Sequence, residues 1–379
     1  MKLNLPSLAG RAGTQPRSRF LPFLTAAGCV AALLGCASEG EGDTRRTLLE
    51  RWSTELIVPL YAEFDQRSET VAVSVDALCA GPSEQALAAA REAWQAAREP
   101  FKRAEVFAFG PYSRPEFRIG PKIDSWPARP EQIEEWIAGE SPVDPATIAE
   151  LGVFYKGLPV VEYLLFSPQA STPAQLEDAR RCEYLRSTAA ELASRAREIH
   201  MAWSPEGGDF AGQLSGAGRT STAWRTLRDA FGEVVNRMGF TVENVRRDKL
   251  GRPLGDMTGG LAQPDVTESR FSGRAIRDIL DNLSGIEVLF FGDPARSLPG
   301  VSSYAIERGE NFDQRFRTAL GASRTALEAV SVPLGEAVNT EADRVREASE
   351  RLRELQQLIQ VDLITALGLS LNFNDNDGD

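Results

Sequence analysis

Apolar residues recur at alternating spacings of three and four along almost the whole chain beyond residue 44. Leu87, Ala90, Trp94, Ala97, Phe101 and Ala104 keep that rhythm. So do Leu176, Ala179, Cys182, Leu185, Ala189, Leu192, Ala196 and Ile199, and again Val345, Ala348, Leu352, Leu355, Ile359, Leu363 and Ala366. Charged residues fill many of the gaps. This is the period of amphipathic helices that bury one face. Alternation of the strand type is nearly absent, and Thr70 to Val75 is the one short candidate. The periodic stretches predict helices over 44–70, 83–107, 146–166, 174–202, 221–247, 268–291, 304–329 and 334–367. Helices of that length in succession suit bundles. The expected fold class is all-α, with two four-helix-bundle-like halves joined by long irregular loops.

Three segments interrupt the helices. Residues 109–130 carry Pro111, Pro115, Pro121, Pro127 and Pro130, which predicts an irregular loop. Residues 204–219 hold five glycines and read as a linker. Residues 251–267 are rich in Gly and Pro and predict a second long loop. The first half then spans 44–203, the linker 204–220 and the second half 221–379. A weak repeat supports this: Leu158-Pro159-Val160-Val161-Glu162-Tyr163-Leu164-Leu165-Phe166 resembles Leu283-Ser284-Gly285-Ile286-Glu287-Val288-Leu289-Phe290-Phe291. Duplication explains the likeness, and so does chance similarity between two buried helices.

The first residues set the compartment. Lys2, Arg11, Arg17 and Arg19 precede the first acid, Glu39, and an apolar run from Phe20 to Gly35 follows. A basic start, a short apolar core and small residues at its end describe an export signal over 1–35. The run is shorter than the roughly 20 residues a spanning helix needs. Leu33-Leu34-Gly35-Cys36 resembles a bacterial lipobox, in which Cys36 takes the lipid and residues 36–43 form a tether. The alternative is an ordinary signal cut elsewhere. No Asp follows Cys36, which in bacteria with the usual sorting rule implies the outer membrane, facing the periplasm. Losing four positive charges takes the formal net charge from −12 to about −16. Such an acidic protein repels phosphate backbones, so nucleic acid is not an expected partner. Cys29 lies in the signal. Cys79 and Cys182 remain, and an oxidising envelope favours one disulfide between them over two buried thiols.

Few residues offer chemistry. His200 is the only histidine, so no His-Glu-x-x-His zinc site forms and no catalytic residue is assigned. No phosphate-binding glycine loop appears. Glu162 and Glu287 stand in apolar helices, and a buried carboxylate costs several kcal/mol unless paired. The partner is an arginine such as Arg118 or Arg247, or else a metal or ligand between the halves.

Lys156-Gly157-Leu158-Pro159-Val160-Val161-Glu162 resembles the signature helix of imelysin-like proteins, whose hallmark is Gly-x-His-x-x-Glu. Ile123-Asp124-Ser125-Trp126-Pro127 resembles the segment before it. Asp248-Lys249-Leu250-Gly251-Arg252-Pro253, Glu268-Ser269-Arg270-Phe271-Ser272 and Asn282-Leu283-Ser284-Gly285-Ile286 resemble later family segments. The likeness extends to Leu367-Gly368 and Phe373-Asn374-Asp375-Asn376-Asp377-Gly378-Asp379. The resemblance covers nearly all of 45–379 and makes 44–370 together one imelysin-like domain. It implies iron or another divalent metal, and a role in metal uptake beside envelope iron-uptake proteins. With the buried-acid reading, this makes Glu162, Asp124 and Glu287 the ligand or metal candidates, of which the family motif itself carries over only Glu162, beside Gly157. The hallmark histidine, however, falls at Pro159, which offers no ligand and suits a helix start. Gly157 and Glu162 remain of the motif. The tail 375–379 ends before the twelfth-position glutamate that a calcium loop needs. The expected function is therefore an envelope binding or accessory protein. The alternatives are a metallopeptidase of the imelysin kind and a helical scaffold for another envelope protein.

Overall fold

Helices follow the predicted periodicity, with their bounds moved by packing. The structure, a computed structural model, describes residues 39–371. The signal segment with Cys29, the proposed anchor Cys36 and the acidic tail 372–379 lie outside the described residues. The chain enters as α1 (Glu39–Trp52), passes a π-helical turn (Ser53–Ile57) and continues as α2 (Val58–Ala80). Thr70–Val75, the expected strand, is helical. Phe64, Ser68, Val71, Val75 and Leu78 fall on the buried side of α2, so burial at helical spacing outweighs the β-branched preference of the segment.

Ser83 caps α3 (Glu84–Ala104) by accepting the Ala86 amide. The Pro-rich stretch 109–130 is not one loop. It holds a 3-10 turn (Gly110–Tyr112) and α4 (Ile119–Ile123), whose two isoleucines are fully buried. α5 (Pro130–Ala138) and α6 (Pro145–Glu150) follow, each with proline at its start. The helix expected over 146–166 is broken: α7 (Leu158–Phe166) begins afresh after Gly157. Next come α8 (Pro173–Leu176) and α9 (Ala179–Trp203).

The expected linker is another correction. It contains α10 (Phe210–Ser215), and Phe210 packs edge-on against Trp203 and Trp224 at 5.1 and 5.4 Å. Five glycines read as a spacer, but buried aromatic rings hold the segment to the core. From Gly40 on, the chain forms one unit with no boundary at 204–220.

α11 (Leu227–Asn244) runs through a second π turn (Val245–Gly251) into α12 (Arg252–Leu254). α13 (Ala275–Phe291) follows, and Gly292–Asp293 pairs briefly with Leu298–Pro299. The last helices are α14 (Val301–Glu307), α15 (Asp313–Glu328), α16 (Leu334–Thr340) and α17 (Ala342–Gln357), which runs through a third π turn (Leu358–Leu363) into α18 (Ile364–Ala366). The helix predicted over 304–329 breaks at Gly309, and the one over 334–367 breaks at Glu341.

α2 packs against α3 and α9; α15 packs against α17 and α13; α13 lies along α3. The last contact positions the site. A Cβ on Gly285 would sit 2.2 Å from the Arg103 carbonyl, so glycine lets the two helix backbones touch. A disulfide joins Cys79 at the end of α2 to Cys182 at the start of α9, with Cα atoms 5.6 Å apart. Among the described residues, no helix is long and apolar enough to cross a membrane.

Candidate functional site

α7 starts where only glycine fits. Gly157 has φ +80°, and a Cβ there would lie 2.4 Å from the carbonyl oxygen of Ile123. This close approach brings the motif helix against the segment that carries Asp124. Trp94 of α3 donates its indole N–H to the Leu158 carbonyl at 3.0 Å and fixes the same end. Pro159 occupies the first turn, where its missing N–H costs no helical hydrogen bond.

Glu162 lies one turn further on and is buried. Its partner is neither Arg118 nor Arg247. Glu162 Oε1 accepts from the amides of Phe271 and Ser272 at 3.0 and 2.8 Å, and from Ser272 Oγ at 2.7 Å. Burial pushes this carboxyl up to about 7, while the Ser272 hydrogen bonds and the nearby Arg98 charge hold it from rising further.

Beside it lies a buried ionic network. Arg98 and Lys102 sit one turn apart on α3. Arg98 reaches Asp124 at 3.1 Å, Glu268 at 3.0 Å and Asp278 at 2.7 Å. Lys102 Nζ reaches Glu105, Asp124 and Glu268, each at 2.5 Å. Lys249, from the second π turn, reaches Glu105 at 2.8 Å and Glu268 at 3.0 Å. Asn282 of α13 accepts from Lys249 and donates to Glu105 and to the Lys102 carbonyl. Burial alone would neutralise these groups, but Lys102, Lys249 and Arg98 together hold the Glu268 carboxyl well below its usual range. Burial likewise opposes the Lys102 charge, and Asp124, Glu105 and Glu268 overcome it.

Asp124 and Glu162 thus come into one neighbourhood, since the charges of Arg98 and Asp278 act on Glu162. Glu287 does not join them. It is half-buried and pairs with Arg324 at 2.6 Å, because its position on α13 faces α15. His200 is half-buried and bonds Asp65 at 2.9 Å, away from the network. Sequence reasoning missed Arg98, Lys102, Glu105 and Asp278. Their signal was the spacing of four and three along 98, 102 and 105, which reads as the solvated flank of an apolar stripe.

A resident metal at the motif does not fit these residues. Position 159 has no ligand atom, and one oxygen of Glu162 already accepts three hydrogen bonds. Three carboxylates do converge, with ligand atoms of Glu105, Asp124 and Glu268 within 4.8 Å of one another, but the Lys102 ammonium stands among them.

The clamp also shapes the surface. A cleft of about 620 Å³ opens beside α7, lined by Tyr163, Arg270 and Phe271, by Pro130, Pro264 and Pro333, and by the acids Glu131, Asp265 and Glu336. The Tyr163 and Phe271 rings meet edge-on at 5.1 Å, and the Arg270 guanidinium lies 4.5 Å from the Phe271 ring centre. The two residues after Arg270 are those that Glu162 holds.

The profile of the imelysin family matches residues 57–359. An iron-regulated protein A of Synechococcus elongatus is 25% identical over 320 residues, 81% of this chain and 82% of that protein. A crystal structure of an imelysin-like protein from Psychrobacter arcticus superposes with a TM-score of 0.72 at 20% identity, covering 88% of this chain and 98% of the other. Another, of a Parabacteroides distasonis protein provisionally described as an iron-regulated protein A precursor, gives 0.73 at 19% identity, covering 88% and 95%.

Proposed function

Because the chain belongs to the imelysin family, we propose that it is a cell-envelope binding or accessory protein in the uptake of iron or another metal, and not a metallopeptidase. The name of the Synechococcus relative supports the iron connection. The observation that carries the choice is the use of Glu162. Hydrolysis by a metallopeptidase needs an open metal with several protein ligands. Here Pro159 stands where the family histidine would, and the Glu162 carboxylate clamps Phe271 and Ser272. The motif carboxylate instead braces the segment that carries Phe271 and Ser272. The cargo, iron in a form that Tyr163, Phe271 and Arg270 beside the carboxylates of Glu131, Asp265 and Glu336 can grip, docks in that cleft. Cys36 holds the protein on the outer membrane, facing the periplasm.

The test is iron accumulation by cells lacking the protein. Complementation with the wild type should restore uptake, and a Phe271→Ala, Arg270→Ala variant should not. Purified protein should cleave no peptide with iron or zinc added. Metal-dependent proteolysis that Glu162→Gln abolishes would overturn the proposal.

A further inference from the structure

We infer that the cleft beside α7 selects a positively charged ferric chelate whose shell presents methylene and amide groups, as a linear trihydroxamate with a terminal ammonium does. The inference rests on the reading of this cleft as the cargo site and adds the chemical class of the cargo.

A bare ion has no seat here. The lining acids are Glu131 on α5, Asp265 in the 3-10 turn Pro264–Val266 and Glu336 on α16. Their three carboxylates do not bring ligand atoms within 4.8 Å of one another; among the described residues, those that do are the ones around Lys102. The Tyr163 hydroxyl is committed to Glu134 at 2.7 Å. Iron therefore has to arrive in a shell of its own. A cleft of about 620 Å³ has room for one, inside the roughly 300–1,000 Å³ of small-molecule sites.

Charge then chooses among shells. Glu131, Asp265 and Glu336 are exposed, and Arg270 is the cation of the lining. Asp265 takes that cation at 2.5 Å, which leaves Glu131 and Glu336 uncompensated within the lining. The chain as a whole carries a formal charge of −12. A polyanionic chelate is repelled by such a field and a cation is drawn in. The rings of Tyr163 and Phe271, edge-on at 5.1 Å, add faces for an ammonium and for methylene groups.

A second observation comes from the cleft floor. Thr267 is 1% exposed, and its Oγ1 has no hydrogen-bond partner. That oxygen lies 3.7 Å from where a side chain on Gly335 would begin, and Gly335 lines the cleft. The bare glycine leaves the hydroxyl just beneath the floor, ready to donate to a ligand oxygen. Arg270 Nε is a second buried N–H without a partner. Both suit the carbonyl oxygens of amide and hydroxamate groups.

The experiment is fluorescence titration of the mature protein at low ionic strength with three probes. They are ferric desferrioxamine B, its N-acetyl derivative, which keeps the shell and loses the ammonium, and a strongly negative ferric tris-catecholate. The first should bind roughly tenfold tighter than the second, and the third should not compete with it. A Glu131→Gln, Glu336→Gln variant should weaken the first probe towards the second and leave the second unchanged. Phe271→Ala and Thr267→Val should weaken both. Equal affinity for the first two probes overturns the inference, as does binding of the first that Phe271→Ala leaves intact. Tight binding of the tris-catecholate that Phe271→Ala abolishes overturns the charge selection but leaves the cleft as the cargo site. If no probe binds while the Phe271→Ala, Arg270→Ala variant still fails to restore iron uptake, this inference alone falls. If that variant restores uptake, the cargo reading falls and takes the inference with it.

Discussion

The Glu162 carboxylate accepts the amide hydrogen of Ser272 at 2.8 Å, across 110 residues of sequence. The same oxygen takes the Ser272 hydroxyl and the Phe271 amide. One side chain in the motif helix thereby fixes the turn that precedes α13, and with it the aromatic wall of the cleft. A carboxylate so placed serves as a structural clamp.

The clamp has a pH signature. In the folded protein Glu162 titrates at about 7, against 4.5 for the unperturbed group, with burial as the main cause. The folded state keeps a proton that the unfolded chain has lost. The group's contribution to stability is therefore largest at low pH and falls as pH rises from about 4.5 through 7. Glu162→Gln retains the acceptor and removes the ionisation. Between about pH 5 and pH 8, denaturant unfolding should show Glu162→Gln gaining on the wild type, by up to about 3 kcal/mol. Parallel pH curves for the two proteins would contradict the burial-raised titration of Glu162.

Gly157 and Gly309 separate clash from strain. Both have positive φ, +80° and +81°, but a Cβ meets the Ile123 carbonyl at Gly157 and open space at Gly309. Gly309→Ala should cost about 1–2 kcal/mol from backbone conformation alone. Gly157→Ala should cost about twice that or more, because α7 must also move off the Asp124 segment. Equal losses in chemical denaturation would show that the close approach is unimportant.

Much of the helical framework was legible because period and burial agree, as in α3, α9 and α17. The misses have physical causes. Thr70–Val75 has strand-like residues, yet Val71 and Val75 point to the core only in a helix. The glycines of 204–219 hid the packing of Phe210. Within the site, Glu162 was singled out from sequence because a carboxylate in apolar surroundings stands out, and Asp124 because its segment resembles one of the family. Arg98, Lys102 and Asp278 were not, because their burial depends on which faces of α3 and α13 meet, and that contact is long-range. Glu287 looked equivalent to Glu162 in the repeat, but α15 supplies Arg324 to it.

The disulfide closes a separation of 103 residues between α2 and α9. Thiol titration of the unreduced, denatured mature protein should find neither Cys79 nor Cys182 reactive. Reduction should lower unfolding stability by about 2–4 kcal/mol. Two reactive thiols before reduction would contradict the bridge.

Anchoring through Cys36 predicts that Cys36→Ser yields protein that is soluble or unprocessed in fractionated cells. Unchanged processing and membrane retention would contradict a lipid at that position.

The central claim is that the motif helix holds a wall of the cleft and no resident metal. Metal analysis of the mature protein, purified without chelators, tests it most directly. The account predicts iron and zinc well below one equivalent in both the wild type and Glu162→Gln. One equivalent of iron or zinc in the wild type, lost in Glu162→Gln, would contradict it.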